Sequence, residues 1–274
     1  MPETSSSRRA LETGIPSVDA TPRLSLVVPI YNEADHIEQN VATIEAYLGS
    51  RGDAYEIILS DDGSTDGTKE ILRRIASDED RPIRCVETAE NRGKGSALTR
   101  GLSEGRGAVV GFLDADLEIG VRFVGDLLAA LETGTDICVG SRALEGAKAE
   151  RSFLRHLAHH GYNFVVRSFL GTSLRDNSSG IKFFRREVAD AVLPEMTEEG
   201  WGWDVEFLVR AQRLGYRVRE VPIETVERRL SKVRVFRAAL QTFAMVLRLF
   251  FAGVRVPRRY RTDKSLRERG THSP

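Results

Sequence analysis

Short apolar runs that alternate with helix-like segments constrain this chain more than any other feature. Between residues 24 and 139 apolar runs of strand length alternate with helix-like segments. The predicted strands are residues 24–30, 55–59, 83–86, 109–113 and 136–139. Because parallel strands need such crossovers, the alternation predicts an α/β fold built on a doubly wound, mostly parallel sheet. Ligands of these sheets bind beyond the carboxyl ends of the strands.

Acidic residues follow two of these predicted strands at the point where each strand ends. Asp114 and Asp116 come directly after residues 109–113, and Asp62 lies in the loop after residues 55–59. Hard carboxylate oxygens suit Mg²⁺ or Mn²⁺. A solvated turn is an equally plain interpretation of one isolated Asp-x-Asp. Two acidic strand ends in one sheet favour a site for a metal-bound phosphate.

Composition indicates a globular protein with an uneven distribution of charge. The chain has 274 residues, of which 41% are hydrophobic and 29% charged, so it can bury a sizeable core. The net charge is zero, yet residues 228–269 contain 13 Lys and Arg against 2 acidic residues. A basic end on an acidic body favours an anionic partner for that end. Cys85 and Cys138 lie in apolar runs, which predicts buried thiols rather than a disulfide framework.

The pattern divides the chain into three parts. Residues 1–22 are rich in Ser, Thr, Pro and Arg without an apolar core, which predicts a disordered arm and no signal peptide. Residues 23–227 form the predicted globular domain, and residues 228–274 a basic amphipathic helix and tail. The apolar segment 236–254 has polar interruptions that argue against a spanning helix. Its basic flanks favour an interfacial helix on an anionic membrane surface. The alternative is a terminal helix packed on the core.

Eight short motifs occur along the chain in a recognisable order. They are residues 27–33 (VVPIYNE), 61–64 (DDGS), 91–95 (NRGKG), 114–116 (DAD), 140–142 (GSR), 176–180 (DNSSG), 201–206 (WGWDVE) and 231–233 (SKV). With these motifs the chain resembles the family 2 glycosyltransferases. Within that family it is similar to the polyprenyl-phosphate sugar transferases, dolichyl-phosphate mannose synthase and dolichyl-phosphate glucosyltransferase. The resemblance covers about residues 24–251 and implies the GT-A fold of nucleotide-diphospho-sugar transferases.

The resemblance implies a nucleotide-sugar donor, either UDP-glucose or GDP-mannose. The positions that match nucleotide-sugar binding are Pro29, Tyr31, Glu33, Asp62, Lys94, Asp114 and Ala115. Asp114 and Asp116 match the metal ligands of the family. Glu118 stands where mannose synthases carry a glutamine that helps to hold the metal. Other interpretations are a packing aromatic for Tyr31, a helix-start carboxylate for Glu33 and a plain basic turn around Lys94.

The expected chemistry follows from charge. A departing nucleoside diphosphate gains negative charge, which a divalent ion and basic side chains stabilise. An alkyl phosphate acceptor is already largely dianionic at neutral pH, so it needs positioning rather than a base. The matching acceptor-phosphate positions are Arg142 and Arg155, with Arg228 and Lys232 as further basic candidates. Asp116, Arg142 and Asp204 are the candidate catalytic residues, and a helix-capping role is the alternative for Asp204.

We therefore expect an inverting, metal-dependent hexosyltransferase that moves glucose or mannose onto a polyprenyl phosphate. We expect it to be peripheral at the cytoplasmic face of a membrane and to have no nucleic-acid partner. Another lipid, a polysaccharide or a small metabolite is the alternative acceptor. A non-catalytic nucleotide-binding scaffold is the alternative from another class, and the intact Asp62, Asp114 and Asp116 argue against it.

Overall fold

The computed structural model describes residues 21–149, 153–226 and 235–256. The strands in these ranges are β1 (Leu24–Ile30), β2 (Tyr55–Asp61), β3 (Ile83–Glu87), β4 (Val109–Leu113), β5 (Ile137–Ser141), β6 (Lys148–Ala149), β7 (Ile181–Arg185), β8 (Val218–Pro222) and β9 (Glu224–Thr225). The helices are α1 (Ile37–Ser50), α2 (Thr68–Ala76), α3 (Lys94–Glu104), α4 (Phe123–Glu132), α5 (Phe153–Leu170), α6 (Arg186–Val192), α7 (Trp203–Leu214) and α8 (Val235–Phe251). The five predicted strands of the first half are confirmed, and helix α3 begins at Lys94, within the 91–95 motif.

The main sheet has seven strands in the order β3-β2-β1-β4-β7-β5-β8. Its strand pairs are parallel except for β7, which runs antiparallel to both β4 and β5. Gly111 lies opposite Phe183 across the β4–β7 pair, and a Cβ on Gly111 would come within 2.2 Å of the Phe183 ring. The mostly parallel, doubly wound α/β fold is thus confirmed, with one reversed strand between β4 and β5.

Helices cover both faces of the sheet, so its strands are apolar on both sides. Leu26 and Val28 of β1 belong to the core beneath α1, α2 and α4, whereas Val27 points into the core beneath α3, α6 and α7. This division follows from the pleat, which sends successive side chains to opposite faces. The carboxyl ends of β1, β2, β4 and β5 lie at the same edge of the sheet. The loops that follow these four strands carry sequence motifs.

A third apolar cluster joins α5, α7 and the end of α8. Val166 and Leu170 of α5 pack with Val205 of α7 and with Val246 and Leu249 of α8, and all five are buried. The second half of α8 therefore rests on the domain. Among the residues that the structure describes, no helix is both long enough and apolar enough to span a bilayer. Residues 1–20 of the predicted arm 1–22, and the segments 227–234 and 257–274 of the basic end, lie outside the described residues.

Candidate active site

The segment after β4 presents carboxylates on one side and packs its apolar residues on the other. Ala115, Leu117 and Ile119 are buried in the core, while Asp114, Asp116 and Glu118 remain partly exposed. The alternation is enforced locally, because Leu117 adopts a left-handed φ of 51° and the backbone N–H of Glu118 donates to Asp116 Oδ1 at 3.1 Å. This segment is therefore an ordered part of the sheet edge.

Core packing also fixes the residue between the two aspartates. The side chain of Ala115 is buried, and its carbonyl oxygen accepts a hydrogen bond of 2.8 Å from Asn40 Nδ2 on α1. The backbone is thereby anchored directly between Asp114 and Asp116. Ala115 lies in the core, and its contact with a donor stays a prediction.

Lys94 provides the cationic partner of this segment. Its Nζ lies 2.6 Å from Asp114 Oδ1, and it also lies 5.4 Å from the centroid of the Phe112 ring. Burial disfavours the ammonium, but the carboxylates of Asp114, Asp204 and Asp116 outweigh burial and raise the pKa of Lys94. Lys94 is consequently a permanent cation at the first turn of α3.

The residues at the end of β4 fit a divalent ion that arrives with a diphosphate. Within residues 21–149, 153–226 and 235–256, no three acidic, His or Cys side chains converge into a ready-made cage. Mg²⁺ characteristically takes only one or two protein carboxylates and completes its shell with substrate phosphates and water. Asp114 and Asp116, both partly exposed residues with hard oxygens, meet that requirement, and Glu118, two residues after Asp116, is partly exposed as well.

The loops after β1 and β2 are tied to each other. The backbone N–H of Asn32 donates to Ser64 Oγ at 2.9 Å, and the N–H of Thr65 donates to Asn32 Oδ1 at 2.8 Å. The backbone N–H of Glu33 donates to Thr68 Oγ1 at 2.9 Å. Tyr31 is left exposed at the same edge. Tyr31, Glu33 and the neighbouring Pro29 are thus brought together, although their contact with a nucleoside stays a prediction.

Asp62 fastens the loop that carries Lys94. Its two carboxylate oxygens accept hydrogen bonds from the backbone N–H groups of Arg92, at 3.1 Å, and Gly93, at 2.7 Å. The side chain is almost completely buried. Its predicted contact with the nucleoside would therefore be made by a carboxylate that already orders the loop.

Arg142 extends from the end of β5 and is held by a buried carboxylate. Its Nε and Nη2 donate to the two oxygens of Asp176 at 2.6 and 2.9 Å, and Nη2 also lies 3.2 Å from Ser178 Oγ. Glu220 of β8 accepts hydrogen bonds from Ser141 Oγ and from the backbone N–H of Asp176, at 2.8 and 3.0 Å. The guanidinium is therefore oriented by the buried Asp176, which the partly exposed Glu220 holds in turn.

Asp204 pairs with a lysine that sequence reasoning did not identify. Lys182 of β7 is fully buried, and its Nζ donates to Asp204 Oδ1 and to the Ser179 carbonyl oxygen, both at 2.6 Å. Burial lowers the pKa of Lys182, and Asp204 counteracts that effect. The N-cap of α7 is Gly202, and no side chain makes a capping hydrogen bond there. The alternative of a helix-capping role for Asp204 is therefore wrong.

The charged groups of this edge form one electrostatic neighbourhood. Burial opposes the charge of Arg142, but Asp176, Asp114 and Asp204 together raise its pKa. Asp114 and Asp204 also act on Lys94. The structure thus brings together Lys94, Asp114, Arg142 and Asp204 from four separate elements. The missed members are Asp176 and Lys182, and the sequence signals for them were the 176–180 motif and a lysine inside an apolar strand.

Three predicted acceptor residues cannot be placed in this site. Arg155 belongs to α5, but its side chain lies outside the described residues. Arg228 and Lys232 fall in the segment 227–234, which is also outside them. Their roles toward an acceptor phosphate stay predictions.

Comparisons with known proteins agree with the fold. A model of the family described as Glycosyl transferase family 2 matches residues 25–193. The chain is 36% identical over 233 residues to glycosyltransferase AglD of Haloferax volcanii, covering 83% of this chain and 37% of that protein. It is 34% identical over 246 residues to dolichyl-phosphate beta-glucosyltransferase of Drosophila melanogaster, covering 82% and 74%. The human protein of the same name is 32% identical over 250 residues, covering 83% and 75%.

Solved structures of one synthase share the fold of this chain. Glucosyl-3-phosphoglycerate synthase from Mycobacterium tuberculosis, in complex with phosphoglyceric acid, superposes with a TM-score of 0.64 at 25% identity. The match covers 88% of this chain and 82% of that one. The same enzyme with Mn²⁺, UDP and glucosyl-3-phosphoglycerate gives a TM-score of 0.64 and 25% identity over the same shares of the two chains.

Proposed function

Because this chain belongs to glycosyl transferase family 2, we propose that it transfers a hexose from a nucleotide-diphosphate sugar to a polyprenyl phosphate. One observation carries the proposal. The edge of the sheet holds two ordered cations, Lys94 beside Asp114 and Arg142 on Asp176, at the ends of β4 and β5. Two anionic groups must meet in such a transfer, a leaving diphosphate and an attacking phosphate. The edge offers a cation for each.

The donor end lies at β1, β2 and β4. Tyr31, Glu33 and Asp62 are gathered beside the nucleoside position, and Asp114 and Asp116 follow at the next strand. These two aspartates would hold a divalent ion, with Glu118 nearby, and the ion when bound would neutralise charge on the diphosphate. Lys94 adds a fixed positive charge at the same place. Relatives named dolichyl-phosphate beta-glucosyltransferase favour glucose as the donor sugar. The synthase solved with UDP favours UDP-glucose, and GDP-mannose is the alternative donor.

The acceptor end lies at β5. Arg142 is held at its Nε and Nη2 by the buried Asp176, so an acceptor phosphate would meet the Nη1 side of a planar, oriented guanidinium, which a flexible lysine could not offer. The acceptor oxygen attacks C1 of the hexose while the bond from C1 to the diphosphate oxygen breaks. The electron pair leaves with the diphosphate, and the configuration at C1 inverts. A dianionic phosphate carries no proton to remove, so this step requires no base.

Asp204 is assigned a positioning role in this scheme. Its carboxylate is buried against Lys182, where it holds the first turn of α7 to β7. A general base must reach a proton of the substrate, and the proposed acceptor has none to give. We therefore expect Asp204 to keep the site in shape and Asp116 to serve the donor.

The surroundings of the acceptor are proposed to be a membrane surface. Helix α8 exposes Phe251 and part of Phe243, and its sequence flanks are rich in arginine. Such a helix fits the interfacial layer of an anionic membrane, where a polyprenyl phosphate presents its headgroup. The predicted place of action is the cytoplasmic face, with the protein bound peripherally.

A small phosphorylated acceptor is the second candidate. The solved structures that superpose on this chain include a synthase bound to phosphoglyceric acid, which carries a phosphate but no lipid. Arg142 would suit the phosphate of either acceptor. The two acceptors differ in what is attached to the phosphate, a polyprenyl chain or a small polar acid, and recognition of that part would decide between them.

A transfer assay tests the proposal. Purified protein would be incubated with UDP-glucose or GDP-mannose and with a short polyprenyl phosphate, 3-phosphoglyceric acid or no acceptor. Each mixture would contain Mn²⁺, Mg²⁺ or EDTA, and products would be identified by mass spectrometry. We expect hexosyl polyprenyl phosphate in the presence of a divalent ion and none with EDTA. If product forms with 3-phosphoglyceric acid and none forms with the polyprenyl phosphate, the acceptor is a small phosphorylated metabolite instead. Absence of transfer from both donors would refute the proposed reaction.

A further inference from the structure

The two tryptophans of this chain have opposite environments although only one residue separates them. Trp203 is 1% exposed, its Nε1 donates to Thr99 Oγ1 at 2.8 Å, and its ring stacks on Phe207. Trp201 is 79% exposed. A large aromatic surface left in water is unfavourable by the usual area rule, so packing does not account for Trp201.

Trp201 lies directly over the donor end of the candidate site. Its ring centroid is 5.6 Å from Lys94 Nζ, which in turn lies 2.6 Å from Asp114 Oδ1. Phe112 flanks the same ammonium from the protein interior at 5.4 Å. The indole is therefore the outer wall of the Lys94–Asp114 pair, with solvent on its far side.

The loop that carries Trp201 is firmly held. Glu206 is fully buried and accepts hydrogen bonds from the backbone N–H groups of Thr197 and Glu198, at 2.9 and 2.7 Å. The carbonyl oxygen of Glu199 accepts from the N–H of Ser96 at 2.9 Å. The same loop is joined to α8 by an ion pair between Glu198 and Arg248. Trp201 is thus exposed on an anchored segment.

The same loop also fits tightly against the start of α3. A Cβ added to Gly95 would lie 2.8 Å from the Glu199 carbonyl oxygen. Only a glycine therefore allows the two backbones to approach this closely. This contact holds the loop that carries Trp201 against the first turn of α3, where Lys94 lies.

The sheet order places Asp204, three residues after Trp201, between the two proposed phosphate positions. Asp114 marks the diphosphate at β4 and Arg142 the acceptor phosphate at β5, and β7 runs between those strands. Asp204 is bound to Lys182 of that same β7. In the proposed transfer the hexose occupies this interval, since C1 is joined to one phosphate and attacked by the other.

We propose that Trp201 binds the transferred hexose by covering one face of its ring and helps to select the donor sugar. The inference rests on the proposed function and adds a specificity residue to it. A pyranose has apolar C–H groups on its ring faces, and an indole offers a broad apolar surface for them. In the donor the C1 diphosphate is axial and interrupts one face of the ring. In glucose the other hydroxyl groups are equatorial and leave the opposite face apolar, whereas the axial 2-hydroxyl of mannose interrupts that opposite face. Trp201 should therefore favour glucose.

Binding measurements on nucleotides with and without the sugar test this role. Calorimetry in Mn²⁺ would compare UDP with UDP-glucose, and GDP with GDP-mannose, for the wild type, Trp201→Ala and Trp201→Phe. We expect Trp201→Ala to weaken UDP-glucose about 10-fold, the equivalent of about 1.4 kcal/mol, and to leave UDP unchanged. Trp201→Phe should lie between. The matched control is Phe164→Ala, which removes an aromatic side chain that is 64% exposed on α5.

The fluorescence of Trp201 gives a second readout that needs no activity. Its emission is expected to shift to shorter wavelength when UDP-glucose is added, and to shift much less with UDP. The shift should vanish in Trp201→Phe, since the remaining Trp203 is buried. Thermal melting would establish that the variants are folded.

Each other outcome has a definite meaning. If Trp201→Ala weakens UDP and UDP-glucose equally, Trp201 acts through Lys94 on the diphosphate, and the sugar role is refuted. If donor binding is unchanged while the KM for polyprenyl phosphate rises, Trp201 contacts the lipid, and the sugar role is again refuted. If the wild type binds neither nucleotide sugar, the proposed function itself fails.

Discussion

Single buried charges set the properties of this site. Arg142 and Lys182 are cations in places where water is nearly excluded, and each is satisfied by one aspartate, Asp176 and Asp204 respectively. Removing one partner of a buried pair leaves an uncompensated charge, which costs far more than the loss of an exposed pair. The two aspartates should therefore behave quite differently from acidic residues at the surface.

Asp176→Asn should destabilise the protein and weaken acceptor use. The bidentate contact with Arg142 is lost, so we expect the free energy of unfolding to decrease by about 3–5 kcal/mol. We also expect the KM for the acceptor to rise more than the KM for the donor. Denaturant melts and steady-state kinetics would measure both. Asp53→Asn, which breaks an exposed pair with Arg23, is the matched control and should cost less than about 1 kcal/mol. Equal costs for the two variants would contradict this assignment.

Asp116→Asn should abolish most transfer without unfolding the protein. The amide cannot replace a carboxylate in neutralising a metal-bound diphosphate, and a loss of several kcal/mol in the transition state corresponds to at least about 100-fold in rate. Rates would be measured over a range of Mn²⁺ concentrations. The same substitution at the exposed Asp80, before β3, should leave the rate unchanged. Near wild-type turnover of a folded Asp116→Asn protein would remove Asp116 from the metal site.

The two cysteines should be unreactive in the folded protein. Burial raises the pKa of Cys85 and Cys138 to about 12, so the reactive thiolate is scarce at pH 8. A chromogenic disulfide reagent at pH 8 should therefore label the native protein slowly, with Cys138 the slower of the two. Labelling in guanidinium, which should reach two thiols per chain, is the control. Rapid labelling of the native protein would show that these strands open easily.

At the scale of elements, the contact between helix α3 and the loop before α7 shapes the site. Lys94 begins α3, and Trp201 lies in that loop, so the distance between them depends on how closely the two backbones approach. Gly95 faces Glu199 and Trp203 without space for a side chain. Elements far apart in the chain thereby act as one wall of the site.

Gly95→Ala should destabilise the protein and displace Trp201. The new Cβ would lie 2.8 Å from the carbonyl carbon of Glu199, and overpacking of this kind costs about 1–3 kcal/mol. Denaturant unfolding and the emission wavelength of Trp201 would report the two effects. Gly161→Ala on α5 is the control, because the added Cβ would have no neighbouring atom within 4 Å. Alanine is also more favourable than glycine in a helix by up to about 1 kcal/mol. A Gly95→Ala protein as stable as the wild type would show that the loop yields freely.

At the scale of the whole molecule, helix α8 packs on the domain with one side and leaves an aromatic side chain exposed on the other. Val246 and Leu249 are buried against α5 and α7, whereas Phe251 is 80% exposed. Deleting the helix would uncover the buried surface, so we expect the truncated protein to aggregate rather than dissolve cleanly. Membrane binding is better examined with single exposed residues.

Phe251→Glu should weaken binding to anionic vesicles. The substitution removes apolar area and adds a negative charge where the helix is proposed to meet the membrane, and both changes oppose binding. Co-sedimentation with vesicles containing phosphatidylserine at low salt would measure the loss, and high salt alone should release the wild type only in part. Leu214→Glu, at an exposed position at the end of α7, is the control. Failure of the wild type to bind such vesicles would refute the interfacial role.

Local patterns in the sequence determined much of this protein. The apolar runs and helical spacings predicted the strands from residue 24 to 139, because hydrophobic periodicity is a local property of the chain. The position of Asp114 and Asp116 directly after one such run placed them at the ligand edge, because strand direction follows from the helical crossovers. The resemblance carried by the motifs further predicts phosphate-binding roles for Lys94 and Arg142, and these roles stay predictions.

Only the tertiary structure decided how those residues are held. Strand β7 enters the sheet in reverse after an irregular segment, and no local periodicity specifies the direction of such a return. That return brings Lys182 to Asp204, 22 residues away, and the preceding loop brings Asp176 to Arg142, 34 residues away. A lysine in an apolar strand or an aspartate in a loop has no evident partner in the sequence. Its role is fixed by burial, since a charge removed from water must find its counterion in the folded chain.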